Sequence, residues 1–232
     1  MKFSLVIPCY NEADNIQLLL ERCSFLAQPG INEVILVDNG STDASPQRLE
    51  KLLPHYPGCR SIRVDVNQGY GFGILSGLQS AKGEILSWTH ADMQTDPHDV
   101  LHGLELFNRY GHDIFVKGRR YERPLADVFF TMCMSIFESL LLGQSLWDIN
   151  AQPTMFSRKF FNSWQNAPYD FSLDLYAYYR ASQAGLSIHR FPVRFGERAH
   201  GISHWNVNWQ AKVKFIRRTF AYSFKLRKNL SS

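Results

Sequence analysis

Phe3-Ser4-Leu5-Val6-Ile7 opens the chain as an apolar run broken by one serine. Pro8 stops it, because proline offers no amide to a strand ladder. Past Cys9-Tyr10-Asn11-Glu12, the residues Ile16, Leu19, Leu20, Cys23 and Leu26 recur at helical spacing, from a cap at Asp14 or Asn15 to the Pro29-Gly30 break. The beat then repeats. Residues 34–37 (Val-Ile-Leu-Val) lead into Asp38-Asn39-Gly40-Ser41-Thr42-Asp43 and a helical pattern through Leu49, Leu52 and Leu53. A third strand at 62–66 precedes Asn67-Gln68-Gly69-Tyr70-Gly71-Phe72-Gly73 and a helix carrying Ile74, Leu78 and Ala81. A fourth, at 85–88, ends in Thr89-His90-Ala91-Asp92-Met93-Gln94-Thr95-Asp96. This alternation predicts an α/β fold with a mostly parallel sheet, whose ligands bind beyond the carboxyl ends of the strands.

The second half is less regular. A helix near 100–110 leads to a strand at 113–117 ending in Gly118-Arg119-Arg120-Tyr121, and then to a long apolar helix over 125–142. After Trp147-Asp148-Ile149-Asn150 come a short strand at 155–156, a helix over 171–183 capped by Asp170 and stopped by Gly185, and a strand at 188–195. Trp209, Val213, Ile216, Phe220 and Phe224 fall at helical spacing.

Composition narrows the class. With 45% hydrophobic and 20% charged residues over 232 positions, the chain has the makings of a sizeable core and not of a disordered segment. Its four cysteines are scattered, without zinc-site or disulfide-scaffold spacing. Net charge is +4, but no Asp or Glu follows Glu197, while Arg198, Lys212, Lys214, Arg217, Arg218, Lys225, Arg227 and Lys228 do. The apolar stretch 128–142 is interrupted by Glu138 and falls short of the roughly 20 residues that span a bilayer, so no transmembrane helix is expected. Together with the cationic tail it suits an enzyme lying on an anionic lipid surface, although core packing would also account for the apolar stretch. The expected location is cytoplasmic, peripheral on the inner face of the membrane.

Which chemistry sits at the sheet edge? The first strand is not followed by G-x-G-x-x-G, and no G-x-x-x-x-G-K-[ST] occurs, which argues against dinucleotide and P-loop sites. Cys9 reads as a buried strand-end residue more readily than as a nucleophile. The strand ends instead carry carboxylates: Glu12, Asp38, Asp43, Asp92 and Asp96. Carboxylates accept ribose hydroxyls or a base imino group and supply hard ligands to Mg²⁺ or Mn²⁺ bridging phosphates. Asp43 and Asp96 read first as turn formers.

Together Ile7-Pro8-Cys9-Tyr10-Asn11-Glu12, Val37 to Asp43, Asn67-Gln68-Gly69-Tyr70-Gly71 with Gly77, Ala81 and Gly83, and Ala91-Asp92-Met93-Gln94 resemble a family-2 glycosyltransferase over about the first 125 residues. Gly118-Arg119-Arg120-Tyr121, Phe195-Gly196-Glu197-Arg198 and Gly201-Ile202-Ser203-His204 are similar to elements of polyprenyl-phosphate (dolichyl-phosphate-type) sugar transferases. The resemblance implies a Rossmann-like A-type glycosyltransferase fold. It implies a domain over 1–205, with a nucleotide-sugar half (1–125) and an acceptor half (126–205), followed by a basic amphipathic helix at 206–232.

By motif position, Pro8, Tyr10, Glu12, Gly69, Ala91 and Asp92 would line the nucleotide, with Asp38 on base or ribose. Asp92 and Gln94 would ligate Mg²⁺ or Mn²⁺. His90 stands where the family has aspartate, and suits Mn²⁺ better than Mg²⁺. Arg120 and Arg198 would clamp phosphates, and His204 replaces a lysine.

The implied reaction is inverting transfer from a UDP- or GDP-linked sugar to a polyprenyl phosphate or a glycan, with no nucleic acid involved. A lipid phosphate is already anionic, whereas a hydroxyl acceptor would need a base, for which Asp174, and less readily Asp170, are candidates. The rivals are a non-catalytic nucleotide-sugar-binding protein and a nucleotidyltransferase.

Overall fold

The computed structural model describes residues 1–200 and 209–228, with side chains up to 200 and from 216 to 228. Seven strands form one sheet: β1 (Phe3–Cys9), β2 (Asn32–Asn39), β3 (Cys59–Val64), β4 (Ile85–Trp88), β5 (Ile114–Tyr121), β6 (Thr154–Ser157) and β7 (Ser187–Arg194). Their order is β3-β2-β1-β4-β6-β5-β7, and every pairing is parallel except the two made by β6. The helices are α1 (Ile16–Cys23), α2 (Ser45–Leu52), α3 (Tyr70–Ser80), α4 (Val100–Tyr110), α5 (Leu125–Leu142), α6 (Arg158–Phe161), α7 (Leu173–Gln183) and α8 (Trp209–Lys228).

Both faces of the central strands are covered, which is why they read as continuous apolar runs and not as alternation. Val6, Val37 and Trp88 point into one core with Ile74 and Leu78 of α3 and Tyr178 of α7. Leu5, Ile7 and Leu36 point into the other with Leu19 and Leu20 of α1 and Phe107 of α4. The third strand lies at 59–64, earlier than the 62–66 its apolar residues predict. It is the sheet edge, so Arg60, Ser61 and Arg63 are tolerated among its buried positions.

Glycine-rich 69–73 is not a loop throughout, since α3 begins at Tyr70. A Cβ at Gly71 would stand 2.5 Å from the Pro168 carbonyl oxygen, so the helix starts against the 168–170 backbone. β5 continues through Arg119 and Arg120 to Tyr121 because β7 pairs with it along its full length. Asp170 does not cap α7 directly: it accepts the Ser172 amide at 2.8 Å, and the helix starts at Leu173.

Helix α5 matches its expected span. Contrary to the length argument, it is long and apolar enough to cross a membrane by composition, with a mean hydropathy of 1.7. In the fold it buries Ser135, Glu138 and Leu142 and packs against α8, where Phe137 stacks on Phe220 with ring centroids 4.2 Å apart. Glu138 accepts a 2.7 Å hydrogen bond from the Ser223 hydroxyl, and burial pushes its carboxyl from 4.5 up to about 7. A raised carboxyl favours the fold while protonated, so its contribution is complete below pH 4.5 and lost as pH climbs to 7. Glu138→Gln should remove a pH-dependent stability loss of about 3 kcal/mol across that window, read as flatter urea midpoints against pH.

Gly77 of α3 lies on Val6 and Val37, where an added Cβ would come within 2.3 Å of Val6 Cγ1. Alanine inside a helix ordinarily gains about 1 kcal/mol over glycine. Here overpacking against β1 reverses the sign. Gly77→Ala should lose about 1–2 kcal/mol net in equilibrium unfolding.

Candidate active site

Because β1, β2 and β4 are parallel neighbours, their carboxyl ends carry residues 9–12, 38–43 and 89–96 to one edge of the sheet. Asp92 sits there, buried. Its Oδ1 accepts the Gln94 amide at 3.1 Å across Met93 at φ 60°, and its Oδ2 meets Arg198 Nη2 at 2.9 Å. Arg198 comes from the segment that follows β7.

That segment crosses the ends of β5 and β4. The Phe195 amide donates to Tyr121 O at 3.1 Å, the Gly196 amide to Gln94 O at 2.8 Å, and the Ala199 amide to Asp92 O at 3.3 Å. The Gln94 side chain returns a bond to Gly196 O at 3.2 Å, and Asn15 Nδ2 reaches His200 O at 3.4 Å. Burial raises the Glu12 carboxyl, and Asp92 adds to that rise, while a hydrogen bond from Asn15 and the charge of Arg198 oppose it. Glu12, Asp92 and Arg198 thus share one electrostatic neighbourhood.

His90 is half-buried and stacks on Tyr70 (centroids 5.6 Å, 18°), which stacks on Phe171 (4.5 Å, 11°). Arg218 of α8 lies 5.5 Å over the Phe171 ring and pairs with Asp170 at 3.3 Å. Burial lowers the imidazole below 6.5 against the pull of Asp92 and Asp174, so it is neutral near pH 7. Asp38 is buried, accepting the Ser41 amide at 2.9 Å and pairing with Arg63 at 3.2 Å. Tyr10 is exposed in the first strand-end loop, Pro8 lies within β1, Ala91 is buried, and Gly69 O accepts from Asn39 Nδ2 at 3.0 Å. Asp43 and Asp96 are turn formers, accepting the Ser45 amide at 2.9 Å and the His98 amide at 3.0 Å.

Two expected site residues already hold buried partners. Arg120 grips Asp148 through its side chain and, at 3.1 Å, through its own amide, and it lies 5.1 Å over the Phe195 ring. Arg123 and Arg190 also approach Asp148, at 3.7 and 3.9 Å. Burial would raise the Asp148 carboxyl, but these arginines, Arg120 foremost, hold it below its usual value. Asp174 is fully buried in a pair with Lys117 at 3.5 Å and accepts from Gln152 at 2.7 Å.

Sequence reasoning missed Lys117 and the role of Asp148. A lysine ending the apolar run Ile114-Phe115-Val116 was the available signal, since a buried ammonium requires a partner. Gly201 to His204 lie outside the described residues. Among the described residues, no three His, Cys, Asp or Glu side chains converge as a metal-holding group.

A family model, glycosyl transferase family 2, matches residues 4–174. The chain belongs to that family. Among its curated relatives, the undecaprenyl-phosphate 4-deoxy-4-formamido-L-arabinose transferase of Yersinia enterocolitica is 36% identical over 105 residues, 43% of this chain and 31% of that protein. The dolichol-phosphate mannosyltransferase of Pyrococcus furiosus is 32% identical over 122 residues, 52% of this chain and 34% of that one. The match to these relatives thus spans about a third of their length.

In three dimensions, this family 2 domain is similar to glucosyl-3-phosphoglycerate synthase from Mycobacterium tuberculosis, solved with Mn²⁺, UDP-glucose and phosphoglyceric acid. The TM-score is 0.74 at 21% identity, covering 98% of this chain and 80% of that one. The fold is therefore that of the A-type glycosyltransferases.

The Asp174 environment makes one test independent of substrate. Asp174→Asn leaves the Lys117 ammonium, already lowered to about 8 by burial, without its counter-charge. Unfolding free energy should fall by about 3 kcal/mol near pH 7. The deficit should shrink as pH rises toward 8, because without the Asp174 charge the lysine is lowered further and sheds its proton earlier than in the wild type.

Proposed function

We propose that the protein is an inverting glycosyltransferase that moves a sugar from a nucleoside-diphosphate sugar to a polyprenyl phosphate. The observation that carries this reading is the Asp92–Arg198 pair at the shared carboxyl edge of β1, β2 and β4, 2.9 Å apart and flanked by Glu12 and His90. Asp38 and Glu12 offer acceptors for the hydroxyls and imino group of a nucleoside. Arg198 supplies a fixed guanidinium for the diphosphate.

The donor set fits a divalent cation. The Asp92 carboxylate and the neutral His90 imidazole are adjacent on one strand end, with the Gln94 amide oxygen as a third donor and phosphate oxygens of the substrate to complete the shell. Such a cation, Mg²⁺ or, given the nitrogen ligand, more readily Mn²⁺, would offset charge on the departing diphosphate. Mn²⁺ accompanies UDP-glucose in the similar synthase structure.

The acceptor assignment has two supports. The curated relatives use undecaprenyl and dolichol phosphates, as their names state. The carboxylate best placed by sequence to deprotonate a hydroxyl, Asp174, is closed in by Lys117 and Gln152. A lipid phosphate needs no such base, because its oxygen is already anionic when it attacks the anomeric carbon opposite the leaving group. Arg120, over Phe195 and beside Asp148, orients that phosphate through the guanidinium edge that Asp148 leaves open.

Purified protein given UDP- and GDP-sugars, Mn²⁺ or Mg²⁺ and undecaprenyl phosphate should release nucleoside diphosphate only when the lipid phosphate is present. EDTA should abolish release. Asp92→Asn should cut kcat/KM by about 10²–10³ while the circular dichroism spectrum is kept. Nucleotide binding without turnover for any donor would overturn the reading in favour of a non-catalytic binder, and faster turnover with a glycan hydroxyl would overturn the acceptor.

A further inference from the structure

Helix α5 leaves most of an apolar surface uncovered. Leu125, Val128, Phe129, Cys133, Ile136 and Leu140 are all exposed, Leu125 and Leu140 by 80% or more, and only 17% of the helix is buried. They recur at the spacing of one helical stripe. The stripe continues onto the neighbouring helix: Phe137 touches both Phe220 and the half-exposed Phe224 of α8, at ring separations of 4.2 and 6.4 Å.

Every charge that the described residues of these two helices expose is positive. Arg217, Lys225, Arg227 and Lys228 face solvent on α8. The acids are withdrawn, with Asp127 half-buried and Glu138 turned inward onto Ser223. An apolar stripe bordered by cations alone complements neither a second copy of itself, which would oppose cation to cation, nor a neutral hydrocarbon core. It complements a surface with apolar depth and negative headgroups.

We infer that the α5–α8 face docks on an anionic bilayer surface, an inference that rests on the polyprenyl-phosphate reading above. Phe129, Ile136 and Leu140 would enter the headgroup boundary while Arg217, Lys225, Arg227 and Lys228 lie on lipid phosphates. The same helices wall a cavity of about 50 Å³, with Phe130, Met134 and Glu138 from α5 and Thr219 from α8, and Arg120 lines it too. The cavity lies on the inward side of α5, opposite the exposed stripe.

The test is co-sedimentation with vesicles of phosphatidylcholine alone or with a quarter phosphatidylglycerol. The anionic vesicles should carry the protein down and the neutral ones should not. Phe129→Asp with Leu140→Asp, and separately Lys225→Glu with Arg227→Glu, should each weaken binding, by roughly fivefold or more for each cation reversed. These positions are exposed, so melting temperature should be unchanged.

Equal binding to both vesicle types, no binding to either, or full binding by both variants would overturn the inference. A dimer in light scattering that Leu140→Asp dissociates, without vesicle binding, would assign the face to a second copy instead. Farnesyl phosphate, a soluble acceptor, separates the two readings. If transfer to it proceeds alike in wild type and variants, loss of vesicle binding indicts the face alone. If wild type docks but transfers to no lipid phosphate, the acceptor assignment fails and the docking surface stands.

Discussion

A buried carboxylate at the end of a parallel strand is the constraint around which this site is assembled. Asp92 spends one oxygen on its own turn, through the Gln94 amide, and the other on Arg198. The arginine arrives from more than a hundred residues away, on a segment that is laced to Tyr121, Gln94 and Asp92 by backbone hydrogen bonds. Removing a negative charge from water is costly unless it is paired, so the carboxylate and the segment hold each other in place. The crossing segment ties β5 to the loop that follows β4 at the edge that carries the candidate site.

Three buried aspartates show how environment, and not residue type, divides the work. Asp92 has one guanidinium and an open neighbourhood shared with Glu12 and His90. Asp148 is surrounded by Arg120, Arg123 and Arg190, three cations about one buried carboxylate. Asp174 is closed off with Lys117 and Gln152. The first lies at the candidate site, the second gathers three arginines, and the third joins β5 to α7.

The second half of the chain follows a similar economy. The stack Arg218, Phe171, Tyr70, His90 runs without a gap from α8 to the strand end that carries Asp92. The helices whose outer faces are apolar and cationic therefore contact, on their inner faces, the loop that packs beside the site. Burial of Glu138 against Ser223 serves both sides: it joins α5 to α8 and withdraws the carboxylate that would otherwise interrupt the middle of the apolar helix.

How much of this was legible beforehand depended on the range of the interaction. The β-α alternation, the parallel sheet, the strand-end position of Asp38 and Asp92 and the span of α5 were readable because periodicity and punctuation are local, a few residues long. The shift of β3 was not, since only an edge position excuses Arg60, Ser61 and Arg63, and edges are assigned by pairing. Nor was the extension of β5 through Arg120, which β7 imposes from seventy residues further on.

The sequence by itself determined that carboxylate- and glycine-bearing motifs stand at the strand ends, because each motif is contiguous with its strand. Only the tertiary structure decided what each charge faces: that Arg198 meets Asp92, that Arg120 meets Asp148, and that Asp174 is sealed by Lys117. Those partners lie 106, 28 and 57 residues apart, and no local pattern records a pairing made by the folding of the sheet.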